Sequence, residues 1–429
     1  MSASPAPNPI AAVDEARQWD RLMQMAAIGP ITGSDGEPGV NRACLTPLDR
    51  EARRLLISWA EGLGLAVSVD EIGNLFLRHE GTDATAAPVL TGSHMDTQPN
   101  GGRFDGIWGV IAGLEAVQAI RQAGVRTLRP IEVVAWTNEE GGRFAPGCMG
   151  SMAWSRDKAA NTWDAVTDPD GVTFRQALDE HLKAEADIPR RPLGGKPFAY
   201  VEAHIEQGPR LEAEGKDIGV VTGIQGSRWF LVELRGETAH AGTAPLSLRK
   251  DAVQDMVRAV TALNALMADP TDVLRFTVGR IEVLPNTSNS VADVVRFTID
   301  FRHPEKEMLI ANGDAIEPTI RSAIKGCEVT VTERFHALPV EFDALVADAV
   351  EDAARAQGLS SIRLPSGAFH DAQFMVPVCP TGMIFVPCRR GVSHNPAEYS
   401  MPGQLAAGAR VLAATLVDLA NRESTAPAF

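Results

Sequence analysis

The sequence has no C-x-x-C pair, no basic excess and no apolar run long enough to cross a bilayer. Each gap removes a class of function. Its five cysteines, Cys44, Cys148, Cys327, Cys379 and Cys388, are odd in number and scattered, so neither a disulfide framework nor a thiolate zinc site is expected and they read as reduced packing residues. With 40 Lys and Arg against 55 Asp and Glu, the formal net charge is −15. A chain so acidic lacks the basic surface that a nucleic-acid backbone or an anionic membrane requires. No window approaches the roughly 18 apolar residues of a membrane span. The opening segment MSASPAPNPIAAVDEARQWD has no basic stretch followed by an apolar one, so a cytoplasmic location is expected. No internal repeat or low-complexity tract is visible. What remains is a folded chain of 429 residues, 45% apolar and 22% charged, for which two domains and a small-molecule partner are expected.

Two styles of organisation follow one another. Residues 11–28 and 48–62 have helical apolar spacing. The short run APVL then leads into TGSHMDTQPNGGRFDG, and IWGVIAGLEAVQAIRQAG places Ile107, Val110, Ile111, Leu114, Val117 and Ile120 on one helical stripe, with PIEVVAWTNEE as the next buried strand. That alternation predicts an α/β domain, a central sheet covered by helices, with ligands beyond the carboxyl ends of its strands. From about residue 226 the order becomes β-α-β-β-α-β, the ferredoxin-like split unit. In VVRFTIDFR, Val295, Phe297, Ile299 and Phe301 alternate with Arg296, Thr298, Asp300 and Arg302, so one strand face is expected to be buried. An inserted small domain is read over 226–336, with 1–225 and 337–429 forming the first.

The chemistry gathers at the predicted strand ends. His94 and Asp96 form an H-x-D triplet, in which the Asp96 carboxylate would orient the His94 ring. Asp105 stands where the next helix opens, as a candidate cap as well as a ligand. Glu139 and Glu140 are adjacent like charges at the end of an apolar strand, an arrangement that needs a cation or solvent to compensate it. His204, followed by Glu206 and Gln207, ends another strand, and His394 follows TGMIFVP. Oxygen and imidazole donors without thiolates suggest a catalytic site for zinc, manganese or a similar ion. The side chains from Gln98 to Gly102 have no assignable role beyond making a turn.

The segments TGSHMDTQPNGGRFDG, TNEEGGRF, HIEQGP, GETAHAGTAP, SGAFHDA and SHNPAE resemble, in order, the motifs of the N-carbamoyl-L-amino-acid hydrolase, β-ureidopropionase and allantoate amidohydrolase family, within the dinuclear metallopeptidase superfamily of aminoacylases and G-type carboxypeptidases. The resemblance implies a metallopeptidase-like catalytic domain with a central mixed sheet, an inserted ferredoxin-like lid and dimerisation domain, and a homodimer. It implies two divalent ions (zinc, or manganese, cobalt or nickel), with Asp105 bridging, His94 and His204 on one side, and Glu140 and His394 on the other. Glu139 then matches the general base, Asp96 the partner of His94, and His240 an oxyanion donor. Asn289 and Arg302 match a substrate-carboxylate pair, and Gln207 a carbamoyl contact. His370 matches a motif histidine near the metals, although Phe369 stands where the family usually has glycine. A histidine at position 204, where the peptidase branch usually carries a carboxylate, points to ureido substrates. The implied activity is hydrolysis of N-carbamoyl-L-amino acids to amino acid, ammonia and carbon dioxide. Allantoate or N-carbamoyl-β-alanine hydrolysis, an aminoacylase or dipeptidase, and a non-catalytic metal-dependent binding protein are the alternatives. Arg389 and Arg390 either meet an extra anionic group or form a solvated turn.

Overall fold

The computed structural model describes residues 8–423. Two compact units divide it: one is formed by the chain up to Gly223 and from Glu341 onward, the other by Ile224–Val340.

The larger unit is built on a nine-stranded mixed sheet. At its middle lie Thr381–Val386, Ala199–Ile205, Val89–His94 and Ile131–Trp136, side by side and parallel. Antiparallel strands flank them, Ile218–Ile224 on one side and Leu75–His79 on the other. Every residue of the four central strands is buried, as expected of parallel strands covered on both faces. Pairing between Val89–His94 and Ala199–Ile205 runs only from Val89 opposite Ala199 to Thr91 opposite Val201. Beyond that point Ser93 Oγ instead donates to Glu202 Oε1 at 2.6 Å. The carboxyl ends of these two strands thus part from each other while each stays paired with its other neighbour, and the crevice opens between them.

The helix following the crevice, Ile107–Gln122, is buried at every position from Ile107 to Ile120, not only along the expected stripe. Its small residues permit this. A Cβ on Gly109 would lie 2.2 Å from the Ala203 carbonyl oxygen, so the helix packs directly on the neighbouring strand. On its other side it packs against the closing helix Pro402–Asn421, and Trp108 is fully buried in this core. Each large apolar side chain so covered contributes roughly 1.5–3 kcal/mol.

Three local expectations shift. The helical pattern over 11–28 is two helices, Pro9–Ala12 and Glu15–Ala26. The chain breaks between them because Asp14 caps the second through the Arg17 N–H at 3.0 Å. The strand read as ending at APVL continues through Thr91–His94, which carries His94 to the strand terminus. Asp105 does not cap the helix: the N-cap is Gly106 at φ +64, and no side chain caps this end.

The smaller unit has the order Gly226–Arg235, Ala252–Leu266, Arg275–Leu284, Val294–His303, Lys306–Ala323, Glu328–Ala337, that is β-α-β-β-α-β. Its main sheet is antiparallel, with Val294–His303 and Gly226–Arg235 central and Arg275–Leu284 and Glu328–Ala337 at the edges. Residues 294–303 alternate strictly between half-buried and buried, and Val295, Phe297, Ile299 and Phe301 join a core with both helices.

Candidate metal centre

The strand ends bring six expected side chains into one cluster. Asp105 is at its centre, and its two oxygens face different partners. Oδ1 lies 3.1 Å from His204 Nε2 and 3.7 Å from His94 Nε2. Oδ2 lies 3.3 Å from His394 Nε2, which is itself 3.4 Å from Glu140 Oε2. Two triads capable of holding an ion therefore share Asp105, namely His94–Asp105–His204 and Asp105–Glu140–His394. Glu139 sits beside the first, with Oε2 3.4 Å from His94 Nε2.

Hydrogen bonds fix the ring nitrogens. His94 Nδ1 donates to the Asp96 carbonyl oxygen and His204 Nδ1 to the Ile205 carbonyl oxygen, each at 2.9 Å. A carbonyl can only accept, so Nε2 of the neutral ring carries the lone pair, aimed at the centre. The orienting contact on His94 thus comes from the Asp96 main chain. The Asp96 carboxylate is 3.7 Å from His94 Nδ1 and instead accepts the Glu139 and Glu140 N–H groups at 3.3 and 3.2 Å, holding the following strand end in place.

The centre is dense in buried acid. Burial and the surrounding carboxylates push Glu139 well up, and burial with the nearby Asp105 raises Glu140 to about 8. Burial likewise raises Asp96 and Glu398 to about 7. Asp105 goes the other way: burial works against its charge, but hydrogen bonding to His204 and His394 holds it well below the usual carboxylate range. His204 is correspondingly held at about 9, burial being outweighed by Asp105, and bonding to Asp105 brings His394 to about 9 as well. Burial takes His94 down to about 4, so its ring is neutral and its Nε2 lone pair faces the carboxyl groups of Asp105 and Glu139. The ion pairs of Asp105, Glu139 and Glu140 among the described residues are with histidines only. Once His204 and His394 give up their protons, imidazole lone pairs and buried carboxylates form a site that fits divalent cations, with the nitrogen and oxygen donors that suit zinc, manganese or cobalt. A third grouping, Glu202–His204–His370, fits less well. The Glu202 oxygens already accept from Ser93 Oγ, the Tyr200 hydroxyl and the Ala372 N–H, and His370 Nε2 bonds Ser366 Oγ at 2.9 Å. His370 is buried with its ring centroid 4.5 Å from that of His204, close to the centre and packed against one of its members. Phe369, its neighbour, is half-buried.

Two residues left without a role by the sequence hold the centre together. Gln98 donates its main-chain N–H to Glu140 Oε1 at 3.0 Å and its side-chain amide to Oε2 at 2.7 Å. Glu398, in the SHNPAE segment, accepts the Phe104 and Asp105 N–H groups, both at 3.0 Å, and the Ser393 hydroxyl at 2.9 Å. Its signal was available as a carboxylate four residues after His394. Gln207 reaches Asp105 Oδ2 at 2.9 Å and Ser393 Oγ at 3.0 Å, leaving its own buried Oε1 without a hydrogen-bond partner. The Arg389 guanidinium is committed to the Ala397 carbonyl oxygen and the Tyr399 ring. Arg390 lies in a tight turn at φ +56 with its N–H on Glu212.

In the smaller unit, pairing of Ala239–His240 with Ser290–Val291 places His240 beside the Asn289 segment. The His240 Nδ1 accepts the Gly242 and Thr243 N–H groups at 3.0 and 3.2 Å, so the hydrogen of its neutral ring is on Nε2. Arg302 is gripped side-on by Asp300, Nε to Oδ1 at 3.0 Å and Nη2 to Oδ2 at 2.8 Å.

A mixed sheet with a carboxylate-centred pair of cation triads at its carboxyl edge defines a metal-dependent hydrolase of the α/β class. The chain belongs to peptidase family M20/M25/M40, whose model matches residues 90–418. It is 41% identical over 414 residues to an N-carbamoyl-L-amino-acid amidohydrolase of Rhizobium meliloti, covering 95% of this chain and 97% of the relative. An allantoate amidohydrolase of Bacillus subtilis is 33% identical over 397 residues, covering 90% of this chain and 94% of the relative. Among solved structures, an amidase of the hydantoinase/carbamoylase family from Burkholderia multivorans superposes with a TM-score of 0.86 at 42% identity, covering 96% of this chain and 98% of that one. The family resemblance carried by the motifs is thereby borne out, as is the mixed α/β architecture. Among the described residues no helix is long and apolar enough to cross a membrane.

Proposed function

We propose that the protein hydrolyses the carbamoyl amide of N-carbamoyl-L-amino acids, releasing L-amino acid, ammonia and carbon dioxide. The observation that carries this reading is Asp105, one buried carboxylate with each oxygen turned to a different triad. Support for the substrate comes from the relatives named for this activity, which are more similar to the chain than the allantoate amidohydrolase. His94, Asp105 and His204 would hold one divalent ion, and Asp105, Glu140 and His394 the other. When bound, the pair supplies Lewis-acid polarisation of the carbamoyl group and acidifies the attacking water.

The chain's residues do the rest. Glu139, raised by burial and neighbouring acids, takes the proton of the attacking water and returns it to the leaving nitrogen. Arg302, held in orientation by Asp300, and Asn289 bind the substrate carboxylate, for which a guanidinium is suited. His240 donates from Nε2 to the developing oxyanion, and Gln207 offers its unpartnered Oε1 to the carbamoyl NH2. The smaller unit serves as lid and pairs two copies into a homodimer. The carbamate first released decays to ammonia and carbon dioxide.

Ammonia release is the test, measured on metal-stripped protein reloaded with zinc, manganese, cobalt or nickel and offered N-carbamoyl-L-amino acids, N-carbamoyl-β-alanine, allantoate and dipeptides. The first class should be preferred; a preference for allantoate or a dipeptide refutes the assignment. Glu139→Gln should abolish turnover with metal content unchanged.

A further inference from the structure

Glu398 is 1% exposed and is not a member of either triad, yet its carboxylate meets the segments on both sides of the centre. Oε1 accepts the main-chain N–H groups of Phe104 and Asp105, both at 3.0 Å. The same oxygen would lie 2.1 Å from a Cβ on Gly102, so the carboxylate is seated directly on that backbone. Oε2 accepts the hydroxyl of Ser393 at 2.9 Å, and Ser393 precedes His394.

Ser393 is where two demands collide. A serine hydroxyl has one hydrogen, and two carboxylate oxygens lie within reach of it, Glu398 Oε2 at 2.9 Å and Asp105 Oδ2 at 3.2 Å. Asp105 Oδ2 already accepts from Gln207 Nε2 at 2.9 Å. A carboxylate oxygen has two lone-pair sites. Were the Ser393 hydrogen to take the second, the oxygen facing His394 would be filled by donors and closed to a cation.

We propose that Glu398 is a positioning residue that draws the Ser393 hydrogen to itself, keeping Asp105 Oδ2 open to the cation on the His394 side. The proposal rests on the two-ion reading above. The two N–H donors at Oε1 make the consequence sharp. In Glu398→Gln the amide oxygen must stay on those N–H groups, which places the amide NH2 against Ser393. The Ser393 oxygen then accepts, and its hydrogen is directed to Asp105 Oδ2. Shape and main-chain bonds are preserved while the hydrogen is reversed.

The experiment is calorimetric and visible-spectrum titration of metal-stripped full-length protein with cobalt(II), without substrate. Wild type should take up two ions. Glu398→Gln should lose about 10–100-fold in affinity for one of them, the range for partners that orient ligands. The double variant Glu398→Gln/Ser393→Ala should recover most of that loss, because the misdirected hydrogen is gone, and Ser393→Ala alone should bind both ions. A merely structural role for Glu398 would not be rescued by deleting a hydroxyl. Unchanged binding in Glu398→Gln, or a double variant as weak as Glu398→Gln, overturns the proposal alone. If Glu398→Gln does not fold, Ser393→Ala decides: weakened binding there shows that the hydroxyl supports the ion, which overturns the proposal. Uptake of a single cobalt by wild type overturns the two-ion reading and this proposal with it.

Discussion

Gly106 tests the geometry of the centre at one atom. It sits at φ +64, and a Cβ there would lie 2.2 Å from His94 Cε1, 2.3 Å from Nε2 and 2.4 Å from Nδ1. Carbon contacts relax at about 3.5–4.0 Å, so Gly106→Ala must drive the imidazole back by about 1 Å or tilt it away from Asp105. Misplacement of that size costs on the order of 100-fold in rate, about 2.7 kcal/mol of transition-state stabilisation. At φ +64 and ψ −57 a side chain also incurs roughly 1–3 kcal/mol for a sparsely populated backbone conformation. Gly215 isolates the contact with the ring: its φ, +60, is likewise positive, and its added Cβ would meet nothing within 4 Å. Gly215→Ala should therefore lose some stability in urea denaturation, as a side chain at positive φ does, yet keep metal content and activity. Gly106→Ala should in addition lose metal on the His94 side and fall about 100-fold in kcat/KM. Wild-type metal content and rate in Gly106→Ala, or loss of both in Gly215→Ala, would refute the reasoning.

Other outcomes follow from the same contacts. Gln98→Leu removes the amide bond to Glu140 Oε2 and should weaken binding of the ion on that side about 10–100-fold, read by metal titration. Stripping with a chelator should lower the melting temperature and reloading restore it, since an ion at about a hundred times its Kd adds about 2.7 kcal/mol; identical melts would contradict an ion in the native state. Burial and Asp105 hold the Glu140 proton up to about 8, and Asp105 holds those of His204 and His394 up to about 9, so ion affinity should rise as the pH climbs through about 8 to 9, with protons released on binding. In the smaller unit, Asp255 accepts the N–H groups of Lys325, Gly326 and Cys327 at 2.9, 3.0 and 2.9 Å; these bonds outweigh burial and bring it down to about 2. An unfolded aspartate titrates near 3.9. The contribution of Asp255 is thus complete above about pH 4 and is lost as pH falls through about 2, and Asp255→Ala should cost about 3 kcal/mol at neutral pH in urea unfolding.

Much of this centre was legible in the one-dimensional pattern, because ligand chemistry is written in residue type and strand ends are marked by where apolar runs stop. His94, Glu139, Glu140 and His204 stand at or just past such stops, Asp105 precedes the helix that follows one and His394 lies in the loop after another, and parallel strands bring their carboxyl ends to one edge whatever the loop lengths between them. The alternation in Val295–Arg302 likewise named its buried face without help. The helix Ile107–Gln122 was only half legible. Periodicity reports contrast between faces, and here the apparently neutral face is Gly and Ala, buried because they let the strand and the closing helix approach.

What the sequence determined by itself, then, was the candidate donors, the order of elements and the smaller unit's topology, all of which are local in the chain. Tertiary structure alone decided who holds the donors: that Asp105 turns one oxygen to each triad, that the Asp96 main chain and not its carboxylate orients His94, that Gln98 grips Glu140, and that Glu398 reaches Phe104 and Asp105 across 294 and 293 positions. A hydrogen bond depends on distances and angles of a few ångströms between groups that folding brings together. No spacing rule records which carboxylate four residues past a histidine will land on a backbone N–H nearly three hundred residues away.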